Sequence, residues 1–139
     1  EASPEAKLLA VQDGARPLVT PVLIDRVVEA AARCGAAAPA IPMKDTIKTV
    51  TAEGTVTGTP DRSILRAVQT PQVFEADLLK AALQSALENE IPVTDDCSAV
   101  ERLGKVVYLI DGNEENLKIT TPMDLVIAEA ILAEREARR

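Results

Sequence analysis

Short unbroken apolar runs alternate along this chain with apolar stripes at helical spacing, and that alternation restricts the fold to a layered α/β sheet. Residues 8–11 form the first run, of the kind read as a buried parallel strand, and it stops at Gln12-Asp13-Gly14-Ala15-Arg16-Pro17. Thr20 offers an N-cap, with Pro21 at the first helical position. Ile24, Val27, Val28, Ala31 and Ala32 then recur on one helical face, and Gly35 stands where a helix ends. Residues 36–43 are apolar again but carry Pro39 and Pro42, which predicts a strand that leaves its sheet irregularly. Val73-Phe74 leads into a helix with Leu79, Ala82, Leu83, Ala86 and Leu87 as its stripe. Thr94-Asp95-Asp96 caps a shorter helix that ends by Gly104. Residues 106–110 read as another buried strand and 116–120 as a second short one. Thr121-Pro122-Met123-Asp124 starts a final helix expected to fray over 134–139. The expected class is a mostly parallel sheet with helices on its faces, without internal repeat or low-complexity tract.

Residues 44–62 have a different composition. Thr46, Thr49, Thr51, Thr55, Thr57 and Thr59 alternate with Ile47, Val50 and Val56, and Glu53-Gly54 separates the halves. This predicts a hairpin with little to bury, one that projects from the body and pairs with another surface.

Composition removes several function classes. Fifteen Lys and Arg face 22 Asp and Glu, for a net charge of −7, which argues against nucleic acid as a partner. Phe74 and Tyr108 are the only aromatic residues, so the core is aliphatic and a base-stacking platform is excluded. The absence of His removes Ser-His, Cys-His and His-metal chemistry. Cys34 and Cys97 are too few and too distant for a zinc framework and read as reduced, buried residues. No apolar run approaches the ~20 residues of a membrane span, and EASPEAK lacks the basic start and apolar centre of a signal peptide.

Ligands of open α/β sheets bind beyond the carboxyl ends of the strands. Asp13 and Arg16 follow the first strand, Arg62 ends the hairpin, and Lys118 precedes the last helix. An acid among fixed cations suits phosphoryl or nucleotidyl transfer, where charge grows on phosphate oxygens. Each residue also has an ordinary reading: Asp13-Gly14 as a turn, Arg16 in a local ion pair, Lys118 as a surface lysine. Neither G-x-G-x-x-G nor a P-loop is present. The residues alone therefore reach an α/β domain, with a phosphorylated ligand as one reading of these loops and the ordinary readings left open beside it.

A set of motifs carries the reading further. Asp13-Gly14-Ala15-Arg16-Pro17, Asp45-Thr46-Ile47-Lys48, Asp61-Arg62-Ser63, Gln69-Thr70-Pro71-Gln72-Val73-Phe74, Thr94-Asp95-Asp96 and Asn116-Leu117-Lys118-Ile119-Thr120-Thr121-Pro122 occur in this order. In order and spacing the chain resembles the 2-C-methyl-D-erythritol 4-phosphate cytidylyltransferases of non-mevalonate isoprenoid biosynthesis. The resemblance implies a three-layer Rossmann-like sheet of the nucleotidyltransferase type, with residues 44–62 as a dimerisation arm. It implies attack of methylerythritol phosphate on the α-phosphorus of CTP, with Mg²⁺ or another divalent cation bound and pyrophosphate released. Lys118 and Arg62 would be catalytic; Asp13, Arg16, Thr46, Arg62 and Thr70 would hold the polyol phosphate, Thr46 and Arg62 from the dimer partner. Asp13, Gly14, Arg16 and Lys118 would meet the nucleotide, and Asp13 would lie near the metal.

The chain departs from the family pattern at Gln12, where His is usual, and at Pro60, where Leu or Val is common. No Gly-rich triphosphate loop precedes Asp13 and no Met begins the chain. Residues 1–139 are accordingly expected to be the C-terminal portion of a single nucleotidyltransferase domain, inactive without the N-terminal segment, from a bacterial cytoplasm or a plastid stroma. The alternatives are a cytidylyltransferase for another polyol phosphate, such as ribitol phosphate, and a non-catalytic dimerising remnant.

Overall fold

The computed structural model describes residues 2–139. In chain order its elements are β1 (Leu8–Val11), α1 (Pro21–Cys34), β2 (Ala36–Pro42), β3 (Thr49–Val50), β4 (Val56–Gly58), β5 (Arg66–Val68), β6 (Gln72–Glu75), α2 (Ala76–Glu88), α3 (Asp96–Arg102), β7 (Tyr108–Asp111) and α4 (Pro122–Ala137). A single 3-10 turn, Arg62–Ile64, stands between β4 and β5.

The helix signals act as their chemistry requires. The Thr20 side chain accepts from the Leu23 N–H, Pro21 opens α1, and Gly35 closes it in the left-handed conformation at φ 89°. Asp95 and Ser98 form a capping box on α3, as do Thr121 and Asp124 on α4.

The strands β1, β2 and β7, which the sequence predicts, all run in one direction. β7 pairs with β2 in parallel, and β6 lies between β1 and β2, antiparallel to both. The short β5 is also antiparallel to β2. The common direction expected of a mostly parallel sheet thus belongs to the predicted strands, while β5 and β6, whose apolar residues are flanked by Arg66, Gln72 and Glu75 and make no run, go against them. Pro39 falls where the neighbour of β2 changes. Ala36 and Ala37 pair with β6, and residues 40–42 pair with β5. A residue without an N–H fits that junction, and its carbonyl accepts from Gln69 N at 2.8 Å.

Alternation along β2 and β6 divides the core into two faces. Ala36, Ala38 and Phe74 pack with Leu79, Ala82, Cys97, Ala99 and Val100 beneath α2 and α3. Ala37 and Val73 pack with Leu23, Val27, Ala30 and Ala31 of α1 on the opposite face. Helices cover both faces, which gives three layers. Burial pushes the Cys97 thiol up to about 12, with the charges of Asp95, Glu101 and Asp96 adding to the effect. Both cysteines are free.

Several expectations change. The buried stripe of α1 is Leu23, Val27, Ala30 and Ala31, and Ala32 is exposed. Leu83 and Leu87 of α2 also face outward. The 106–110 run is not buried: Val106 is 62% exposed, and Tyr108 and Leu109 are exposed beside it. β7 pairs with β2 alone among the described residues, so its outer edge has no neighbour. α4 is similar: Met123, Leu125, Val126, Ile127 and Leu132 are exposed, and Ala128 is its one buried residue. Residues 116–120 form an extended loop instead of a strand. The last helix stays intact to Ala137, because Arg135 donates to Glu115 Oε2 at 2.9 Å and to Leu18 O at 3.0 Å. Among the described residues, no helix is long and apolar enough to cross a membrane.

Candidate active site

The site lies at one end of the sheet, where β1, β2 and β7 terminate and antiparallel β6 begins. That topology brings together residues distant in sequence: the 12–20 loop, the Gln69–Gln72 approach to β6, and the 112–121 loop.

Asp13 is the meeting point. Its Oδ2 accepts from Arg16 Nε at 3.1 Å, and Lys118 Nζ lies 3.6 Å from the same oxygen. The Arg16 side chain is only 12% exposed, whereas that of Lys118 is 50% exposed. Arg16 is thus built into the wall, and Lys118 reaches into solvent above it. Arg16 Nη1 donates to Asn116 O at 2.7 Å, and Ile119 N donates to Ala15 O at 2.7 Å. These bonds fasten the Lys118 loop to the Asp13 loop across a hundred residues of sequence. They also explain why 116–120 leaves the sheet, since its backbone groups are bonded to the β1–α1 loop.

Thr70 holds the Asp13 loop from behind. Its hydroxyl accepts from Asp13 N at 3.0 Å and donates to Gln12 Oε1 at 3.0 Å. Gln12 Nε2 in turn donates to Arg16 O at 3.2 Å. Thr70 is buried, and its hydroxyl bonds to the protein itself. Gly14 is open to solvent space: a Cβ there would meet nothing within 4 Å.

The arm's residues stand apart from this cluster. Thr46 and Arg62 are exposed. Arg62 Nη1 donates to Lys44 O, while Lys44 Nζ pairs with Glu114 Oε1 at 2.7 Å. Asp61 accepts from Ser63 N at 2.9 Å, which lowers its pKa and fixes the turn carrying Arg62. Among the described residues β3 and β4 pair only with each other, as an exposed ladder joined by a bond from Thr57 Oγ1 to Thr49 Oγ1 at 2.9 Å. The structure therefore joins Asp13, Arg16, Thr70 and Lys118, and leaves Thr46 and Arg62 outside their contacts.

Sequence reasoning passes over three supporting residues. Buried Gln69 donates from Nε2 to Asn113 O at 2.8 Å and accepts from Asn113 N at 3.2 Å. Buried Asn116 donates from Nδ2 to Thr70 O at 2.9 Å. Gln72 links β6 to α3, donating to Asp95 Oδ2 at 3.0 Å and accepting from Cys97 N at 3.1 Å. Each sits within a quoted motif, but an amide carries no signal of whether it faces ligand or backbone. Desolvation raises the Asp96 pKa, and the charges of Asp95 and then Asp13 add to it.

A cation pair on one carboxylate, open to solvent on the lysine side, is suited to receive phosphate oxygens. Among the described residues, no cluster of three or more His, Cys, Asp or Glu side chains could hold a metal alone.

A sequence model of the IspD family, described as 2-C-methyl-D-erythritol 4-phosphate cytidylyltransferase, matches residues 1–134. The protein of that name from Desulforamulus reducens is 50% identical over 131 residues, which cover 94% of this chain and 56% of that protein. Its counterpart from Nocardia farcinica is 51% identical over 137 residues, 98% of this chain and 58% of that protein. The chain thus spans little more than half the length of these relatives. The crystal structure of the cytidylyltransferase from Thermus thermophilus superposes with a TM-score of 0.83 at 41% identity, over 91% of this chain and 62% of that one. The 4-diphosphocytidyl-2C-methyl-D-erythritol synthase structure from Anaerococcus prevotii gives 0.87 at 32% identity, over 95% of this chain and 59% of that one. By sequence and by fold alike, the chain belongs to the 2-C-methyl-D-erythritol 4-phosphate cytidylyltransferase family.

Proposed function

We propose that the protein carrying this chain transfers CMP from CTP to 2-C-methyl-D-erythritol 4-phosphate. A phosphate oxygen of the polyol substrate attacks the α-phosphorus, the bond from that phosphorus to the bridging oxygen breaks, and pyrophosphate leaves. The observation that carries this reading is Asp13 Oδ2 shared between Arg16 and Lys118. When nucleotide enters, its phosphate oxygens take over the Lys118 ammonium, which then neutralises charge growing at the α-phosphate. Arg16, held by Asn116 O and Asp13, keeps its orientation while doing so. Thr70 aligns the loop that presents Asp13 and Gly14, and so serves substrate binding through that loop.

Asp13 as a lone carboxylate fits a Mg²⁺ that is carried chiefly by nucleotide phosphates and water, the usual manner for this hard, strongly hydrated ion. When bound, the ion would neutralise charge on the triphosphate.

The reading extends to quaternary structure. The 44–62 arm, exposed and self-paired, suits exchange within a homodimer, with Thr46 and Arg62 completing the neighbour's polyol phosphate site. The bare edge of β7 and the apolar outer face of α4 suit cover by an N-terminal segment that supplies the triphosphate loop. On this reading residues 1–139 alone lack turnover. The relatives include bacterial proteins, which fits a bacterial cytoplasm as the setting, with a plastid stroma as the alternative.

The test is pyrophosphate release by the protein completed to the length of its relatives, given CTP with methylerythritol phosphate, ribitol phosphate or glycerol phosphate. Turnover with methylerythritol phosphate far above the others is expected. Preference for another polyol phosphate reassigns the substrate, and release with none refutes the enzyme.

A further inference from the structure

Asn116 is 1% exposed, and its side chain is only partly satisfied. Nδ2 faces two acceptors, Thr70 O at 2.9 Å and Gln69 Oε1 at 3.4 Å. Both accept, so the amide has one orientation, and Oδ1 is left buried without a hydrogen-bond partner among the described residues. A buried acceptor without a donor destabilises a fold; an apolar residue of similar volume would remove that cost but leave Thr70 O without its donor. On fold stability alone this gain and this cost offset one another, which leaves the amide to be explained by what it connects.

Its connections supply the reason. The carbonyl of Asn116 receives Arg16 Nη1 at 2.7 Å, and its side chain grips the carbonyl of Thr70. The Thr70 hydroxyl in turn receives Asp13 N. Asn116 thus contacts both supports of Asp13, Arg16 on its carboxylate and Thr70 on its backbone N–H, and two residues further along the same loop Lys118 lies 3.6 Å from that carboxylate. We propose that Asn116 is a positioning residue that sets the separation of Lys118, Arg16 and Asp13 for the transfer step, an inference that rests on the cytidylyltransferase reading. The Nδ2 bond holds the Lys118 loop at its working distance. Without it the loop stays tethered through its backbone, by Arg16 Nη1 on Asn116 O and by Ile119 N on Ala15 O, but nothing ties it to Thr70, and the ammonium loses its fixed place.

The experiment compares Asn116→Leu and Asn116→Asp with the parent in the complete protein, using CTP and methylerythritol phosphate, with thermal melts to establish folding at the assay temperature. For folded Asn116→Leu, kcat is expected to fall about 10- to 100-fold, as small misplacements at a reacting centre do, while KM for both substrates stays within about threefold. Asn116→Asp keeps the shape but points a carboxylate at two acceptors. Only its protonated form donates to Thr70 O, so its kcat relative to the parent should rise as pH falls, a rescue that a packing role does not produce. A folded Asn116→Leu with kcat within about threefold of the parent overturns the proposal. So does a loss fully explained by unfolded protein in both variants, which would assign Asn116 to the fold alone. An active parent with unaffected variants refutes this inference only; an inactive parent refutes the cytidylyltransferase reading and this inference with it.

Discussion

Gln69 lies so close to Gly112 that a Cβ at position 112 would stand 2.5 Å from Gln69 Oε1, with Ala40 N and O each at 3.2 Å. Gly112 N also donates to Ala40 O at 2.8 Å, so the backbone there is pinned to β2. A methyl group has nowhere to go. Gln69 cannot swing aside without losing both bonds to Asn113. Gly112→Ala should therefore destabilise the fold by about 1–3 kcal/mol, the usual cost of overpacking a fitted site. Urea unfolding followed by circular dichroism measures it, and an unchanged midpoint would show that this packing is looser than described.

Asp96 supplies a prediction about pH. Its pKa is raised, first by burial and then by the charges of Asp95 and Asp13. The folded state therefore holds this proton to higher pH than the unfolded chain does. Stability from this group is greatest in acid and declines as pH climbs from the ordinary carboxylate value through the raised folded one. Asp96→Asn should stabilise the protein at pH 7 and lose that advantage below the ordinary carboxylate range. Thermal melts of both proteins at pH 7 and pH 3.5 test it. An equal gain at both values would trace the effect to something other than the charge.

The sheet and its helices are legible in the sequence because their signals are local. Thr20, Pro21 and Gly35 bound α1 as expected, and Asp95 and Thr121 cap α3 and α4. The strands β5 and β6 are not legible, because their pairing depends on where Pro39 divides the edge of β2. Burial of 106–110 does not follow from its apolar run, which signals what a strand prefers and not what neighbour is present. In the site, charged residues announce themselves: Asp13, Arg16 and Lys118 stand out in the sequence and do meet. Gln69, Gln72 and Asn116 do not, because a neutral amide takes its role from tertiary hydrogen bonds that spacing does not encode.

The arm yields a prediction about which subunit completes which site. Arg62→Ala and Asp13→Ala, each in the complete protein, are expected to be inactive alone. If Arg62 serves its neighbour, a mixed dimer holds one doubly damaged site and one intact site. Unfolding and refolding the two together should recover up to about a quarter of parental activity for random pairing into two-fold dimers. No recovery, with mixed dimers verified by mass, would assign Arg62 to its own subunit or to no site at all.

The claim at the centre is that Lys118, 3.6 Å from the carboxylate that also binds Arg16, stabilises charge developing at a transferring phosphate. Its most direct measurement is the single-turnover rate of pyrophosphate formation by complete Lys118→Ala protein saturated with CTP and methylerythritol phosphate. Loss of a group acting chiefly in the transition state should slow that step about 10²-fold or more, with binding of CTP changed far less. Lys118→Arg should rescue little, since a planar fork does not replace a compact ammonium. A single-turnover rate within a few-fold of the parent would contradict the account and make Lys118 an ordinary surface lysine.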